Sequence, residues 1–272
     1  MANETPQFFL NRNGRRLFSI FHAADSSVAS DRAVVFCAPL FEEKLWSHRV
    51  FVNCARYFAT RGISSLRFDY FGDGESEGRL ENATVQSRIT DVEDAVAFCR
   101  EQSKAAKVYV LGLCYGATIG TCAALRDSNV TAAVAWAPVM DGERYVREVL
   151  RAHLSGQMVV HRKIIHDREA LVQQILAGQP VDVEGYEIDK VLYEGITSMD
   201  FPAALKTADK PVLVAQIAPT EPVESQYSAL ATLGNSNVEF QAFREPRFWT
   251  QQKSAFPPCE HLFAQTAQWL SR

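Results

Sequence analysis

The sequence predicts an α/β fold in which helices cover both faces of a mostly parallel sheet, with a helical cap inserted late in the chain. Short apolar runs rich in β-branched residues alternate with longer amphipathic stretches, as is typical of strands joined by crossover helices. An Asn13-Gly14 pair between two apolar runs predicts an opening hairpin. A charged stretch from 138 to 200 then interrupts the alternation.

Composition and periodicity assign each element in turn. Core strands are predicted at AVVFCAP (33–39), SSLRFDY (64–70), KVYVLG (107–112), VTAAVAWA (130–137), PVLVAQIA (211–218) and VEFQAF (238–243). The runs Phe8–Leu10 and Arg16–His22 flank the Asn-Gly turn and predict an antiparallel edge pair, so the sheet is mixed. Helical periodicity predicts helices at Val50–Arg61, Val85–Gln102, Tyr115–Arg126, Val223–Leu233 and Glu260–Leu270.

The interruption divides the chain into a core of residues 1–137 and 201–272 and a cap of residues 138–200. The segments GERYVREVLRAHL and DREALVQQILAG within the cap have a helical pattern, and no run there has the composition of a central strand. Apolar and aromatic cap residues fit the interior of the cap better than a substrate pocket, but are candidates for both. They are Tyr145, Val149, Leu150, Leu154, Met158, Tyr186, Leu192 and Tyr193.

Composition excludes several classes of protein. The 272 residues are 47% hydrophobic and 22% charged, which indicates an ordinary globular protein. A net charge of −4 gives no general attraction for nucleic acid or anionic membranes. The longest apolar run, AAVAWAPVM (132–140), is too short to span a bilayer. With no signal-like N-terminus, a cytoplasmic location is expected.

The cysteines predict neither a disulfide scaffold nor a metal centre. There are 6 cysteines, and none forms a CxxC pair, so no zinc site and no cofactor is expected. Most lie in apolar runs, where a buried and inert thiol is the ordinary outcome. Cys114 is the exception because of its position between a strand and a helix.

The segment Gly112-Leu113-Cys114-Tyr115-Gly116 follows the strand KVYVLG, and a helical pattern begins at once. A strained strand-to-helix turn of this kind lifts a nucleophile above the sheet, and the flanking glycines allow the backbones to approach closely. The positive, N-terminal end of the dipole of the following helix favours a thiolate at Cys114, whereas burial disfavours it. A tight packing turn around an inert Cys114 is the alternative interpretation.

An elbow nucleophile requires a base and an orienting acid later in the chain. Where a strand-to-helix turn carries the nucleophile, the acid comes next in the chain and the base comes last. His261 follows the last predicted strand and opens the last helix, so it has the position of the base. An imidazole can both accept the thiol proton and return one to a leaving group. Glu221 follows the strand PVLVAQIA and is the predicted acid, with Glu224 as its substitute.

Backbone amides after the nucleophile and after an early strand form the expected oxyanion hole. These are the N–H groups of Tyr115 and of Leu40 or Phe41. Glu42 and Glu43 follow in the same loop. They are either surface charges or carboxylates that reach the pocket and contact Cys114.

These motifs together resemble the α/β-hydrolase superfamily, with serine aminopeptidase-like esterases as the general relatives. The resemblance rests on GLCYG (112–116), the turn DYFGDGES (69–76) and His261, and it covers nearly the whole chain. A narrower resemblance is to the exosortase A system-associated hydrolases, which implies a bacterial setting. It rests on APLFEEKLWSHR (38–49), WAPVMDGERYVREVLR (136–151), VEGYEIDKVL (183–192) and EPRFW (245–249).

The cysteine and the acidic loop also look like dienelactone hydrolase, in which a loop glutamate contacts the resting cysteine. By that analogy Glu42 or Glu43 holds Cys114 protonated until substrate arrives. The cap argues against membership of that family, whose members lack a large cap.

The expected function is hydrolysis of a small-molecule ester or thioester through an acyl-enzyme on Cys114, served by His261 and Glu221. Acyl transfer at the same site is the first alternative, since exclusion of water favours another acceptor. A non-catalytic scaffold is the second, because Cys and Glu replace the commoner Ser and Asp. The sequence leaves the substrate and the oligomeric state open.

Overall fold

The computed structural model describes residues 3–161, 167–220, 224–251 and 257–272. One eight-stranded sheet has the order β1-β2-β4-β3-β5-β6-β9-β10. Strands β1 and β2 pair antiparallel, as do β2 and β4, and the remaining neighbours are parallel. The strands within the described residues are β1 (Asn3–Leu10), β2 (Arg16–Ala23), β3 (Arg32–Cys37), β4 (Ser64–Phe68), β5 (Lys107–Leu113), β6 (Val130–Trp136), β7 (Val181–Val183), β8 (Tyr186–Ile188), β9 (Val212–Ala218) and β10 (Val238–Arg244).

Helices connect the parallel strands and fill the segment between β6 and β9. They are α1 (Phe41–Thr60), α2 (Val85–Ser103), α3 (Tyr115–Arg126), α4 (Gly142–His161), α5 (Arg168–Leu176), α6 (Lys190–Thr197), α7 (Phe201–Lys206), α8 (Ser225–Ser228) and α9 (Glu260–Trp269). No helix in the described part of the chain combines the length and apolarity needed to cross a membrane.

Two apolar layers enclose the sheet because alternate strand residues point to opposite faces. Val34 and Phe36 of β3 pack with α1 and α9, whereas Val35 packs with α2 and α3. Trp136 at the end of β6 is fully buried, and its indole Nε1 donates to Thr266 Oγ1 of α9 at 3.2 Å. The last helix is thereby joined to the carboxyl end of the sheet.

The predicted fold class is confirmed, and three elements differ in detail. Helix α1 begins at Phe41 rather than near Val50, and Glu42 and Glu43 in its first turn suit the positive end of the helix dipole. The segment expected to lack a central strand has none among its described residues, but it contains the short, separate antiparallel pair β7 and β8. Over 225–232, the helix predicted at Val223–Leu233 is replaced by α8 and a 3₁₀ turn.

Candidate active site

The carboxyl ends of five neighbouring parallel strands meet at one edge of the sheet. The register pairs Cys37 of β3 with Gly112 of β5, Leu113 with Trp136 of β6, and Trp136 with Ala215 of β9. The loops that follow these strands therefore lie side by side. They enclose a cavity of about 160 Å³ with Cys114 in its wall.

Cys114 occupies the sharp turn that the sequence predicts. Its backbone has φ 49° and ψ −124°, an unusual conformation for a residue with a side chain, and α3 begins at the next residue. The Cys114 amide donates to Trp136 O at 3.0 Å, and the Cys114 carbonyl accepts from Ala117 N at 3.1 Å. These bonds hold the turn, and the side chain is only 3% exposed.

Glu43 lies beside Cys114 in the same cavity and shares its carboxyl with a tyrosine. The Tyr145 hydroxyl of α4 donates to Glu43 Oε2 at 2.9 Å, and the Cys114 thiol contacts the same carboxyl. Tyr145 in turn stacks on Tyr115, the residue after the cysteine, with ring centroids 5.6 Å apart. Three segments distant in sequence thus meet around one thiol and one carboxyl.

Helix α1 is anchored next to Glu43. Lys44 Nζ lies 2.7 Å from Asp69 Oδ1 and 3.1 Å from Asp73 Oδ1, both in the turn after β4. One turn later in the same helix, the Ser47 hydroxyl donates to Glu43 O at 2.7 Å. The turn DYFGDGES therefore has a positioning role, because its two aspartates fix the helical turn that carries Glu43.

Burial governs the protonation of the Cys114 and Glu43 pair. Desolvation raises the pKa of Glu43 to about 7, although hydrogen bonds from Tyr145 and Cys114 oppose the rise. Desolvation and the adjacent Glu43 raise the pKa of Cys114 well above its ordinary value, despite its place at the start of α3. Near neutral pH the pair therefore consists of a neutral thiol beside a carboxyl that is about half ionised.

The raised pKa of Glu43 predicts a loss of stability as the pH increases. A carboxyl whose pKa is higher in the folded state contributes stability below its ordinary value of 4.5, and that contribution is lost as the pH rises through about 7. Between about pH 4.5 and pH 8, Glu43→Gln should gain about 2–3 kcal/mol relative to the wild type. Urea unfolding of both proteins across this range measures the difference.

Tyr145→Phe provides the control for this prediction, because it removes a hydrogen bond that lowers the pKa of Glu43. The wild-type loss of stability should move to higher pH in this variant. A difference between Glu43→Gln and wild type that stays constant with pH would contradict the assignment.

The opposite wall of the cavity is formed after β9 and β10. Arg247 pairs with Glu224, the residue named from sequence as the substitute acid. Tyr227 and Trp249 are buried and line the same wall. Proximity to Cys114 contributes to the raised pKa of the Tyr227 hydroxyl, although burial is the larger cause. This wall is polar and aromatic, and it carries charge of both signs.

The predicted base and acid are placed differently from Glu43. His261 is exposed in the first turn of α9, where its ring lies 6.2 Å from that of Phe243 and close to Glu245. None of the described residues lining the Cys114 cavity is a histidine. Glu221 lies outside the described residues. The triad of Cys114, His261 and Glu221 therefore stays a prediction.

The amides expected to bind an oxyanion stand at the starts of two helices, α3 and α1. Tyr115 is the first residue of α3, and the first N–H groups of a helix have no acceptor within it. Leu40 directly precedes α1 and Phe41 opens it with φ 54°. Glu43 lines the Cys114 cavity and Glu42 does not, which distinguishes the two candidate carboxylates.

Sequence reasoning did not single out Tyr227, Arg247 and Trp249 as site residues. Their signal was positional, since each follows a strand whose carboxyl end lies at the edge that holds Cys114. The helical spacing of Tyr145 favours the cap interior. Tyr145 is buried and donates to Glu43 at the same time.

Comparison with known proteins agrees with this architecture. Residues 29–213 match the model of a hydrolase family described as Serine aminopeptidase, S33. Polyketide transferase grgF of Penicillium sp is 32% identical over 92 residues, which are 33% of this chain and 31% of the relative. The match therefore spans about a third of that protein's length.

Solved structures extend the likeness to the whole chain. An esterase of Pyrococcus furiosus superposes with a TM-score of 0.67 at 16% identity, covering 100% of this chain and 91% of the esterase. Est1E of Butyrivibrio proteoclasticus, in complex with ferulic acid, gives 0.67 at 14% identity, covering 97% and 98%. Such identities establish a common fold. Since the family model covers most of the chain, this protein belongs to the serine aminopeptidase family of α/β-hydrolases.

Proposed function

We propose that this protein hydrolyses an ester or thioester through a covalent acyl-enzyme on Cys114, with Glu43 as the proton acceptor. The observation that carries the proposal is the contact between an elbow thiol and a carboxyl whose pKa is about 7. A group with this pKa exchanges protons efficiently near neutral pH. Cysteine replaces the serine that is usual in the family, and the thiol is the stronger nucleophile once deprotonated.

In the first half-reaction the Cys114 sulfur attacks the acyl carbonyl while its proton moves to the ionised Glu43. The amides of Tyr115 and of Leu40 or Phe41 bind the oxyanion. The bond to the leaving group breaks, and Glu43 returns the proton to that group. A thioester to Cys114 remains.

In the second half-reaction water attacks this thioester and gives a proton to Glu43. Collapse of the tetrahedral intermediate releases a carboxylic acid, and the proton returns to the Cys114 sulfur. Glu43 must be ionised to begin the cycle, so kcat/KM should rise as the pH increases through about 7.

The predicted triad provides the other proton path, in which His261 accepts the thiol proton and Glu221 or Glu224 orients the ring. Glu224 is the weaker candidate for this orienting role, because its carboxylate pairs with Arg247 in the opposite wall of the cavity. Replacement of Glu43 and of His261 separates the two paths.

Acyl transfer to an alcohol is the second candidate function. It is favoured by the match to a protein named polyketide transferase. The same thioester on Cys114 would then react with a hydroxyl group in place of water, and the product would be a new ester. Turnover in the presence of an added alcohol, followed by product analysis, distinguishes transfer from hydrolysis.

Membership of the exosortase A system-associated hydrolases is a narrower proposal. Its support is that all four segments of that resemblance contribute to the cavities near the thiol. Segment 38–49 carries Glu43, 136–151 carries Tyr145, 183–192 carries Tyr186, and 245–249 carries Arg247. A shared substrate class is the simplest reason for residues around one site to resemble a single family.

The decisive experiment is turnover of p-nitrophenyl acetate by the wild type, Cys114→Ala, Glu43→Gln and His261→Ala. We expect Cys114→Ala to lose activity by about a thousand-fold or more, and Glu43→Gln by about a hundred-fold, as for loss of a nucleophile and a general base. Mass spectrometry should detect an acyl adduct on Cys114 in the wild type.

His261→Ala should retain most of the activity on the Glu43 path. A loss as large as that of Cys114→Ala, with Glu43→Gln active, would establish the triad instead. If Cys114→Ala turned over ester as fast as the wild type, the enzymatic proposal would be wrong, and the scaffold hypothesis would remain.

A further inference from the structure

A groove of about 760 Å³, here called the side groove, adjoins the Cys114 cavity. It runs between α1, α4, the β7–β8 pair and the segment after β10. Glu43, Tyr145, Glu148 and Trp249 line both spaces, so the groove is continuous with the catalytic cavity. Its volume lies in the range of sites that enclose a small organic molecule.

Most of the surface of the side groove is apolar and aromatic. Phe41 stacks on Tyr145 with ring centroids 6.5 Å apart and meets Tyr186 edge-on at 5.6 Å. Trp46 of α1 and Val149 of α4 continue the apolar lining away from the thiol. Such a surface gains free energy by covering an alkyl or aryl group.

The charged groups of the side groove have one sign. Its lining includes the carboxyl groups of Glu42, Glu43, Glu148 and Glu184. None of the described lining residues is a lysine, arginine or histidine. Arg144 pairs with Glu148 and neutralises part of this charge. His153 lies 3.4 Å from Glu184. Glu42 also acts on Tyr186, where it contributes to the raised pKa of the hydroxyl. A negatively charged group would meet repulsion throughout the groove.

The Cys114 cavity differs in size and in polarity. It has about 160 Å³, a mostly polar lining, and two arginines, Arg144 and Arg247. Water or another acceptor must approach the thioester from the position that the leaving group vacates. The small polar cavity suits that path, which leaves the side groove for the acyl group.

We propose that the side groove binds the acyl group of the substrate, and that this group is an alkyl or aryl chain without negative charge. The inference rests on the proposed function, since it assigns a binding site to the acyl group of the same acyl-enzyme. It defines a substrate class: neutral medium-chain or aryl acyl esters are accepted, and half-esters of dicarboxylic acids are rejected.

The first test compares p-nitrophenyl acetate, p-nitrophenyl octanoate and the p-nitrophenyl half-ester of suberic acid. We expect kcat/KM to be about ten-fold or more higher for octanoate than for the suberate half-ester, because the distal carboxylate enters an acidic groove. Equal values for the two chains would overturn the proposal, as would a preference for the anionic chain.

Ala152→Trp tests the location of the chain. Ala152 is exposed on α4 and lines the side groove, so an indole there fills space that the octanoyl chain needs. The ratio of kcat/KM for octanoate to that for acetate should fall about ten-fold or more. Ala177→Trp makes the same change at an exposed position outside the groove and should leave the ratio unchanged. The same fall in both variants would overturn the proposal.

The double variant Glu42→Gln and Glu184→Gln tests the role of charge. Its ratio of octanoate to suberate turnover should fall about five-fold, since two partly exposed carboxylates are removed. Glu187→Gln, on the exposed side of β8, removes a carboxylate that does not line the groove and should keep the wild-type ratio.

Binding separates failure of the groove from failure of the catalytic proposal. Calorimetry of octanamide and suberic acid monoamide with Cys114→Ala needs no turnover. Weaker octanamide binding in Ala152→Trp would keep the groove assignment even if no ester were hydrolysed. Octanamide binding that is indifferent to Ala152→Trp would reject the groove, whatever the activity of Cys114.

Discussion

Glu43→Gln is expected to make Cys114 more reactive toward iodoacetamide and, at the same time, less active toward esters. The ionised carboxyl beside the thiol raises the pKa of Cys114, so its removal increases the thiolate fraction. At about pH 8 we expect alkylation of Cys114 to be about ten-fold faster than in the wild type, the effect of a one-unit change in pKa. Mass spectrometry of the labelled peptide against time gives this rate.

The pH dependence makes this prediction specific to Glu43. Below about pH 6 the carboxyl is already protonated in the wild type, so the two proteins should react at similar rates. The ratio of rates should grow as the pH rises through about 7. Glu42→Gln removes the neighbouring carboxyl, which lies in the side groove, and should react as the wild type does.

Opposite effects on alkylation and turnover would separate a base from a merely structural carboxyl. If the substitution merely disturbed the pocket, the rates of alkylation and of ester turnover would fall together or rise together. If Glu43→Gln lowered the alkylation rate in parallel with ester turnover, Glu43 would be a support for the pocket, and the proton acceptor would have to be sought elsewhere.

Gly116→Ala is expected to cause a large loss of stability. A Cβ at this position would lie 2.3 Å from Ala38 O and 2.4 Å from Cys37 O, both backbone atoms at the end of β3. Neither atom can move without displacing the strand, so unfolding free energy should fall by about 3 kcal/mol or more. Urea denaturation monitored by tryptophan fluorescence measures the loss.

Gly178→Ala is the matched control. Gly178 has φ +82° and nothing within 4 Å of an added Cβ, so only backbone strain opposes the substitution, at a cost of about 1 kcal/mol. A loss in Gly116→Ala no larger than that in Gly178→Ala would show that the close approach of Ala38 and Cys37 does not limit position 116. Because Ala38 leads into Leu40 and Phe41, Gly116→Ala should also impair any retained esterase activity.

The sequence was sufficient for the parts of this protein that depend on local patterns. The elbow around Cys114 was predictable because Gly112, Gly116 and the change of hydrophobic period occur within a few residues. The Asn13-Gly14 hairpin and the central strands were predictable for the same reason, and the structure has them within one or two residues at most boundaries.

The neighbours of the thiol could not be predicted to the same degree. Glu43 and Glu42 are adjacent and chemically alike, and only the start of α1 at Phe41 decides which of them meets Cys114. Arg247 and Tyr227 reach the cavity through the order of β9 and β10 in the sheet, which a pattern of apolar residues does not encode. A pKa that depends on desolvation likewise requires all the surrounding elements.

The position of Glu43 at the junction of two cavities has a consequence for when the site becomes chemically competent. In the resting protein, solvent in the wide groove can hydrate one side of the carboxyl. An alkyl chain seated there would displace that solvent and make the ionised carboxylate a stronger base. Binding energy from a remote chain would thus be converted into proton affinity beside the sulfur, and esters whose acyl group fills the groove would react faster than acetates, which leave it empty.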